Sequence, residues 1–323
     1  MFSAQQPVTT AKSVAHRDPL MPVMLGIFAA LGLIVSLVSS SAGVVAPSPS
    51  VSVQPDANDP GDCGGVGPLG MSGSWTCTFD DEFNESSLDT TKWVPQVTAT
   101  SGYTSGATAC FVNNPANISV SGGYLHLTAL KTLAPFTCDD PLGNFTTQET
   151  SGMVSTYGLF DQTYGAFEVN AELPSSMIEG LQETFWLYPQ TLTYGRWPAS
   201  GEIDFAEFYS EYPVLDVPYI HYNEAAPDPN VTAYDCVITP DAFNTYGVDW
   251  SPGVIKVYDN GALCLTDTYN PASPLTSPEP FNQPFFIALT QALGVNTNNY
   301  TSGLTQLPAT TLVKYVRAWT PAS

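Results

Sequence analysis

The chain has little positive charge. Eight Lys and Arg face 30 Asp and Glu across 323 residues, giving a net charge of −22. Holding a phosphate backbone needs clustered cations, so no nucleic-acid partner is expected. Sulfated or carboxylated polymers are disfavoured for the same reason. Charge of either sign is scarce at 12%, whereas 43% of the residues are hydrophobic, enough for a sizeable core. There is no CxxC pair and no paired-histidine spacing that would suggest zinc. Neither a metal nor another cofactor is expected. Beyond residue 46 there is no long helical periodicity and no internal repeat, which leaves strands as the main element.

What is present falls into three stretches. Lys12 and Arg17 precede an apolar run from Leu20 to Val38, followed by small residues up to Gly43. Residues 1–46 read as a signal peptide, with cleavage after Ala42. The alternative is an uncleaved anchor that tethers the chain to a membrane through residues 20–38. Either reading puts the remainder outside the cytoplasm, secreted or surface-anchored. Residues 47–62 are rich in Pro, Ser and Asp and form a linker. Residues 63–323 carry all six cysteines, which suits disulfides in an exported domain. The pairing is open; sequence order favours Cys63–Cys77, Cys110–Cys138 and Cys236–Cys264.

Short strand-like segments recur in that domain with turn signals between them, as at Tyr124–Ala129 and Phe167–Leu173. Val254–Tyr258, then Asp259-Asn260-Gly261, then Ala262–Leu265 predicts a hairpin with a type I′ turn. The fold class is all-β, a sandwich.

Residues 202–207 read Glu-Ile-Asp-Phe-Ala-Glu, among β-branched and aromatic neighbours that favour a strand. Side chains alternate faces along a strand, so Glu202 and Asp204 share one face and Ile203 and Phe205 the other. Glu207 has the wrong parity. One extra residue, a β-bulge near Phe205–Ala206, restores it and sets three carboxylates in a row. Such a row repels itself, and stability alone does not call for it. Two carboxyls roughly 5–5.5 Å apart can open a glycosidic bond with retention, and a third keeps a proton in the set. An acidic solvent-facing strand is the plain alternative.

Trp197-Pro-Ala-Ser-Gly-Glu-Ile-Asp-Phe-Ala-Glu207 resembles the active-site segment of the family 16 glycoside hydrolases, which include laminarinases and other endo-β-glucanases. Phe79–Trp93 resembles the opening segment of that family. Ser151–Thr156 with Tyr164–Glu168, Phe243–Trp250 and Tyr315–Arg317 resemble later landmarks in the same order. The likeness covers roughly Phe79 to Trp319. It implies a β-jelly roll of two curved antiparallel sheets with a cleft on the concave face. It implies an endo-acting retaining hydrolase of a neutral β-glucan, β-1,3-glucan first. Glu202 would be the nucleophile, Glu207 the acid/base, and Asp204 the proton-sharing residue between them. Trp186, Trp197, His221 and Arg196 would line the substrate cleft. Trp93, Trp250 and Trp319 are expected in the core. Two positions depart from the family pattern. Thr290 stands where Asn is usual, and Lys314 where an Asp commonly ligates a structural calcium. An ammonium cannot coordinate Ca²⁺, so that site is expected to be absent. A glycan-binding protein without turnover and a cell-wall transglycosylase are the alternatives on the same scaffold. A monomer suffices for one continuous cleft.

Overall fold

The computed structural model describes residues 61–106, 109–176 and 178–323. The segment expected to be a signal or anchor, and the linker up to residue 60, lie outside the described residues. Among the described residues no helix is long and apolar enough to cross a membrane.

Two sheets, antiparallel apart from one parallel pair in the larger, make up the fold, a jelly-roll sandwich. The larger has eleven strands. Its main path runs from the Ala262–Asp267 edge through Val254–Asp259, Asn244–Ser251, Gly165–Glu172 and Ala309–Pro321 to the long strand Tyr124–Cys138. The smaller has six strands, in the order Tyr219–His221, Glu202–Tyr209, Leu181–Pro189, Phe285–Leu293, Met153–Ser155, Val94–Pro95. A separate two-stranded piece pairs Leu215–Asp216 with Cys236–Val237.

The core lies between the sheets because each strand turns alternate apolar residues inward. Phe185, Leu187, Ile203, Phe205, Ile287 and Leu289 come from the smaller sheet; Phe167, Val169, Val248 and Trp250 come from the larger. Trp93 and Trp250 are fully buried there. Trp319 is buried too, but in a separate cluster with Cys63 and Met71, under the segment that precedes the first strand. The expected hairpin is present: Asp259 faces Ala262, and Asn260 and Gly261 take φ of 50° and 80°. Both turn residues thus adopt the left-handed region that a type I′ turn demands.

The three disulfides are Cys63–Cys77, Cys110–Cys138 and Cys236–Cys264, the pairing that sequence order favours. The third joins the two-stranded piece to the edge strand of the larger sheet.

Candidate active site

The strand Glu202–Tyr209 lies between Leu181–Pro189 and Tyr219–His221. Its register with Leu181–Pro189 shifts once. Asp204 faces Trp186 and Ala206 faces Phe185, so Phe205 is the extra residue. That bulge corrects the parity. Ile203, Phe205, Ala206 and Phe208 enter the core, and the acids are left for the opposite face. Glu202, Asp204 and Glu207 are each at most 5% exposed.

The surroundings treat the three acids differently. The indole N–H of Trp197 donates to Oε2 of Glu202. Gln182 Nε2 donates to Oε1 of Glu207 at 2.8 Å, and the Tyr209 hydroxyl is near enough to this carboxyl to favour its charged form. His221 Nε2 stands 3.1 Å from Oδ2 of Asp204. One carboxylate oxygen each of Glu202 and Asp204 and a His221 ring nitrogen all lie within 4.8 Å of one another.

Burial governs the proton balance. It pushes the carboxyls of Glu202 and Asp204 well above the usual range, and the charge of Asp204 pushes Glu202 further. Glu207 rises to about 7, through burial first and then the charge of Asp204, against the pull of His221, Tyr209 and Gln182. The same burial drops His221 to about 4, so its imidazole is neutral at pH 7. Three buried carboxylates cannot all be charged, and the set keeps protons near neutral pH. Glu202 receives an indole N–H, a donor that favours its anion. Burial is the one cause acting on Asp204, with no counterpart to that indole donor, which makes it a good place for a proton.

The aromatic lining is a second apolar cluster on the far side of the smaller sheet from the core. It holds Trp186, Tyr188, Phe286 and Met153, with Trp197, Tyr103 and Tyr157 packed against it. A family model, Glycosyl hydrolases family 16, matches residues 107–306. The chain belongs to glycosyl hydrolase family 16. The glucan endo-1,3-beta-glucosidase A1 of Niallia circulans is 30% identical over 296 residues. The match takes in 85% of this chain but 41% of that longer protein. The glucan endo-1,3-beta-glucosidase of Cryptopygus antarcticus is 30% identical over 77% of this chain and 93% of its own length. The laminarinase structure from Rhodothermus marinus superposes with a TM-score of 0.63 at 27% identity, over 77% of this chain and 98% of that one.

In this family 16 domain the other expected cleft residues fare unequally. Trp197 is half-buried and within reach of both Glu202 and the His221 ring, whose centroid is 5.4 Å away. His221 is the ladder partner of Glu202 and stacks on Tyr219 at 4.0 Å. Trp186 is on the cleft side but only 5% exposed; its N–H is held by Oγ1 of Thr290 at 2.9 Å. The unusual Thr290 therefore supports a neighbouring tryptophan. Arg196 is exposed on the loop before Trp197. Lys314 is exposed on the larger sheet.

Three residues next to the acids escaped the sequence reading. Tyr209 could have been found, since it continues the cleft parity two residues beyond Glu207. Gln182 comes from the neighbouring strand, and only the register, which sets it opposite Tyr209, brings it to Glu207. Asp216 lies beyond a turn and reaches the main chain rather than a side chain: its Oδ1 accepts from the N–H of Glu207 at 2.8 Å.

Proposed function

We propose that this chain is an exported, endo-acting, retaining glycoside hydrolase that cleaves a neutral β-glucan, β-1,3-glucan of the laminarin type in first place. The carrying observation is the bulge at Phe205, which sets Glu207 on the same face as Glu202 and Asp204. The endo-1,3-glucanase names of the relatives support the substrate. The scarcity of cations supports a neutral polymer, and the disulfides support export.

In this reading an oxygen of the Glu202 carboxylate attacks the anomeric carbon. The bond from that carbon to the leaving oxygen breaks as Glu207 passes its proton to that oxygen. The product is a glycosyl ester on Glu202, which no longer carries charge. Glu207, now ionised, takes a proton from water. The water oxygen attacks the same carbon and frees Glu202. Inversion twice is retention. Asp204 holds a proton beside Glu202 and, with the indole of Trp197, fixes which oxygen attacks. Trp197 offers the sugar ring an aromatic face, and His221 offers a neutral polar edge.

The test is sugar release by the full chain on laminarin, lichenan, xyloglucan, agarose and galactan, beside Glu202→Gln and Glu207→Ala. Reducing ends should appear from laminarin and vanish with Glu202→Gln. Glu207→Ala should lose roughly 100-fold or more in kcat/KM on laminarin. It should retain most of its kcat/KM on a dinitrophenyl glycoside, whose leaving group needs no proton. A folded protein that releases sugar from none of these glucans would sink the proposal and favour a binding role.

A further inference from the structure

Glu207 is held by its backbone as well as by its side chain. The ladder between Glu202–Tyr209 and Tyr219–His221 spans Glu202 to Asp204 and ends there. Next comes the bulge at Phe205, so on that side the N–H of Glu207 has passed the last ladder partner. Asp216 takes over. Its Oδ1 accepts the Glu207 N–H at 2.8 Å, and the N–H of the next residue, Val217, donates to the Glu207 carbonyl at 2.8 Å. Asp216 and Val217 thus mimic one more rung of sheet, with a carboxylate in place of a carbonyl.

Asp216 is fully buried, and a lone carboxylate there would be costly. Its companion is Asp259, the ladder partner of Tyr246 on the larger sheet, 5% exposed. The two buried carboxyls are neighbours, and a proton kept by the pair avoids two uncompensated charges side by side. Among the described residues no hydrogen-bond donor meets Oδ2 of Asp216 or either oxygen of Asp259. The disulfide closes around the pair. Asp216 is the ladder partner of Cys236, and both sulfurs of Cys236–Cys264 lie within 4.8 Å of an Asp259 oxygen and of each other.

We infer that Asp216 is a positioning residue for the general acid: its carboxyl, buried beside Asp259, pins the Glu207 N–H and holds the bulge that brings Glu207 into the acid row. This rests on the reading of Glu207 as the acid. Burial and the charge of Asp259 push Asp216 well above the usual carboxylate range, and burial lifts Asp259 to about 6, consistent with a proton kept by the pair. An asparagine at 216 keeps an oxygen for the Glu207 N–H and an N–H for Asp259. Alanine keeps neither.

The experiment compares kcat/KM of the full chain on laminarin and on a dinitrophenyl laminaribioside for Asp216→Ala, Asp216→Asn and Glu207→Ala, each checked for folding by circular dichroism. Small displacements of a catalytic group cost up to about 100-fold. Asp216→Ala is therefore expected to lose about 10- to 100-fold on laminarin and little on the aryl glycoside. Asp216→Asn should stay within about 3-fold of the parent on both, since it keeps the geometry that the rate depends on. If Asp216→Ala does not fold, Asp216→Val, which fills the same space and suits a strand, takes its place with the same readout. Equal loss on both substrates, no loss on either, or an Asp216→Asn variant as impaired as the alanine would overturn the inference. If Glu207→Ala itself fails to separate the two substrates, the assignment of the acid is what fails. If it separates them and the Asp216 variants do not, the positioning role alone fails.

Discussion

Replacing Glu183 by glutamine should make the protein more stable in alkali and leave it almost unchanged in acid. Glu183 is on the core-facing side of the strand next to the acid strand, 3% exposed. Gln291 Nε2 donates to its Oε1 at 2.5 Å, and Gln291 in turn accepts from the Thr311 hydroxyl at 2.8 Å. Burial raises its carboxyl from 4.5 to about 8 against the opposing pull of Gln291. The native state therefore keeps a proton that the unfolded chain has given up between these two values. A native state that binds more protons loses stability as pH rises, so the loss runs from about 4.5 to about 8 and then levels off. Each tenfold change in proton affinity is worth about 1.4 kcal/mol, which sets a ceiling of about 5 kcal/mol; relaxation and water entry reduce this to a few kcal/mol. Glutamine keeps the acceptor for Gln291, replaces the acid O–H by an N–H and does not titrate. Urea unfolding of both proteins at pH 5, 7 and 9 gives the comparison. The other buried acids are common to both and cancel in the difference. The gap should be within about 1 kcal/mol at pH 5 and reach a few kcal/mol in favour of Glu183→Gln at pH 9. Parallel curves would refute the argument that this carboxyl is held neutral.

Other expectations concern the site. Trp197→Phe removes the donor that favours the Glu202 anion, so the Glu202 carboxyl should rise further and the acid limb of kcat/KM should move to higher pH; an unmoved limb would separate the indole from the nucleophile. The alkaline limb of the parent should fall near pH 7, where Glu207 gives up its proton, and Tyr209→Phe should move it upward by removing a donor that favours the charged form. A limb that stays in place in Tyr209→Phe would contradict the hydroxyl contact. Thr290→Val leaves the buried Trp186 N–H without its acceptor, and about 1–3 kcal/mol of unfolding free energy should be lost in urea titrations. No loss would mean that the indole finds another acceptor.

Much of the fold was legible because it is written in period-two alternation and turn chemistry. Asp259-Asn-Gly261 specified its hairpin, and the wrong parity of Glu207 required a bulge that lies at Phe205. The disulfides follow sequence order because each joins segments that the topology brings together locally. Partners set by tertiary register were not legible. Gln182 and Asp216 meet Glu207 through a neighbouring strand and a return turn, and nothing in either residue's local sequence marks it. Glu183 gave no signal either, since an acid in a strand reads as surface until its inward parity is known. Trp186 was expected at the cleft and is on that side, but its neighbours cover most of the ring, a matter of packing that composition does not encode.

The most direct measurement is proton NMR of the anomeric signals in the first minutes of laminarin digestion by the full chain. A retaining double displacement at Glu202 should release the β-anomer first, with the α-anomer growing in later by mutarotation, and Glu202→Gln should release neither. The α-anomer appearing first would contradict a nucleophilic Glu202 and, with it, the role given to the acid row.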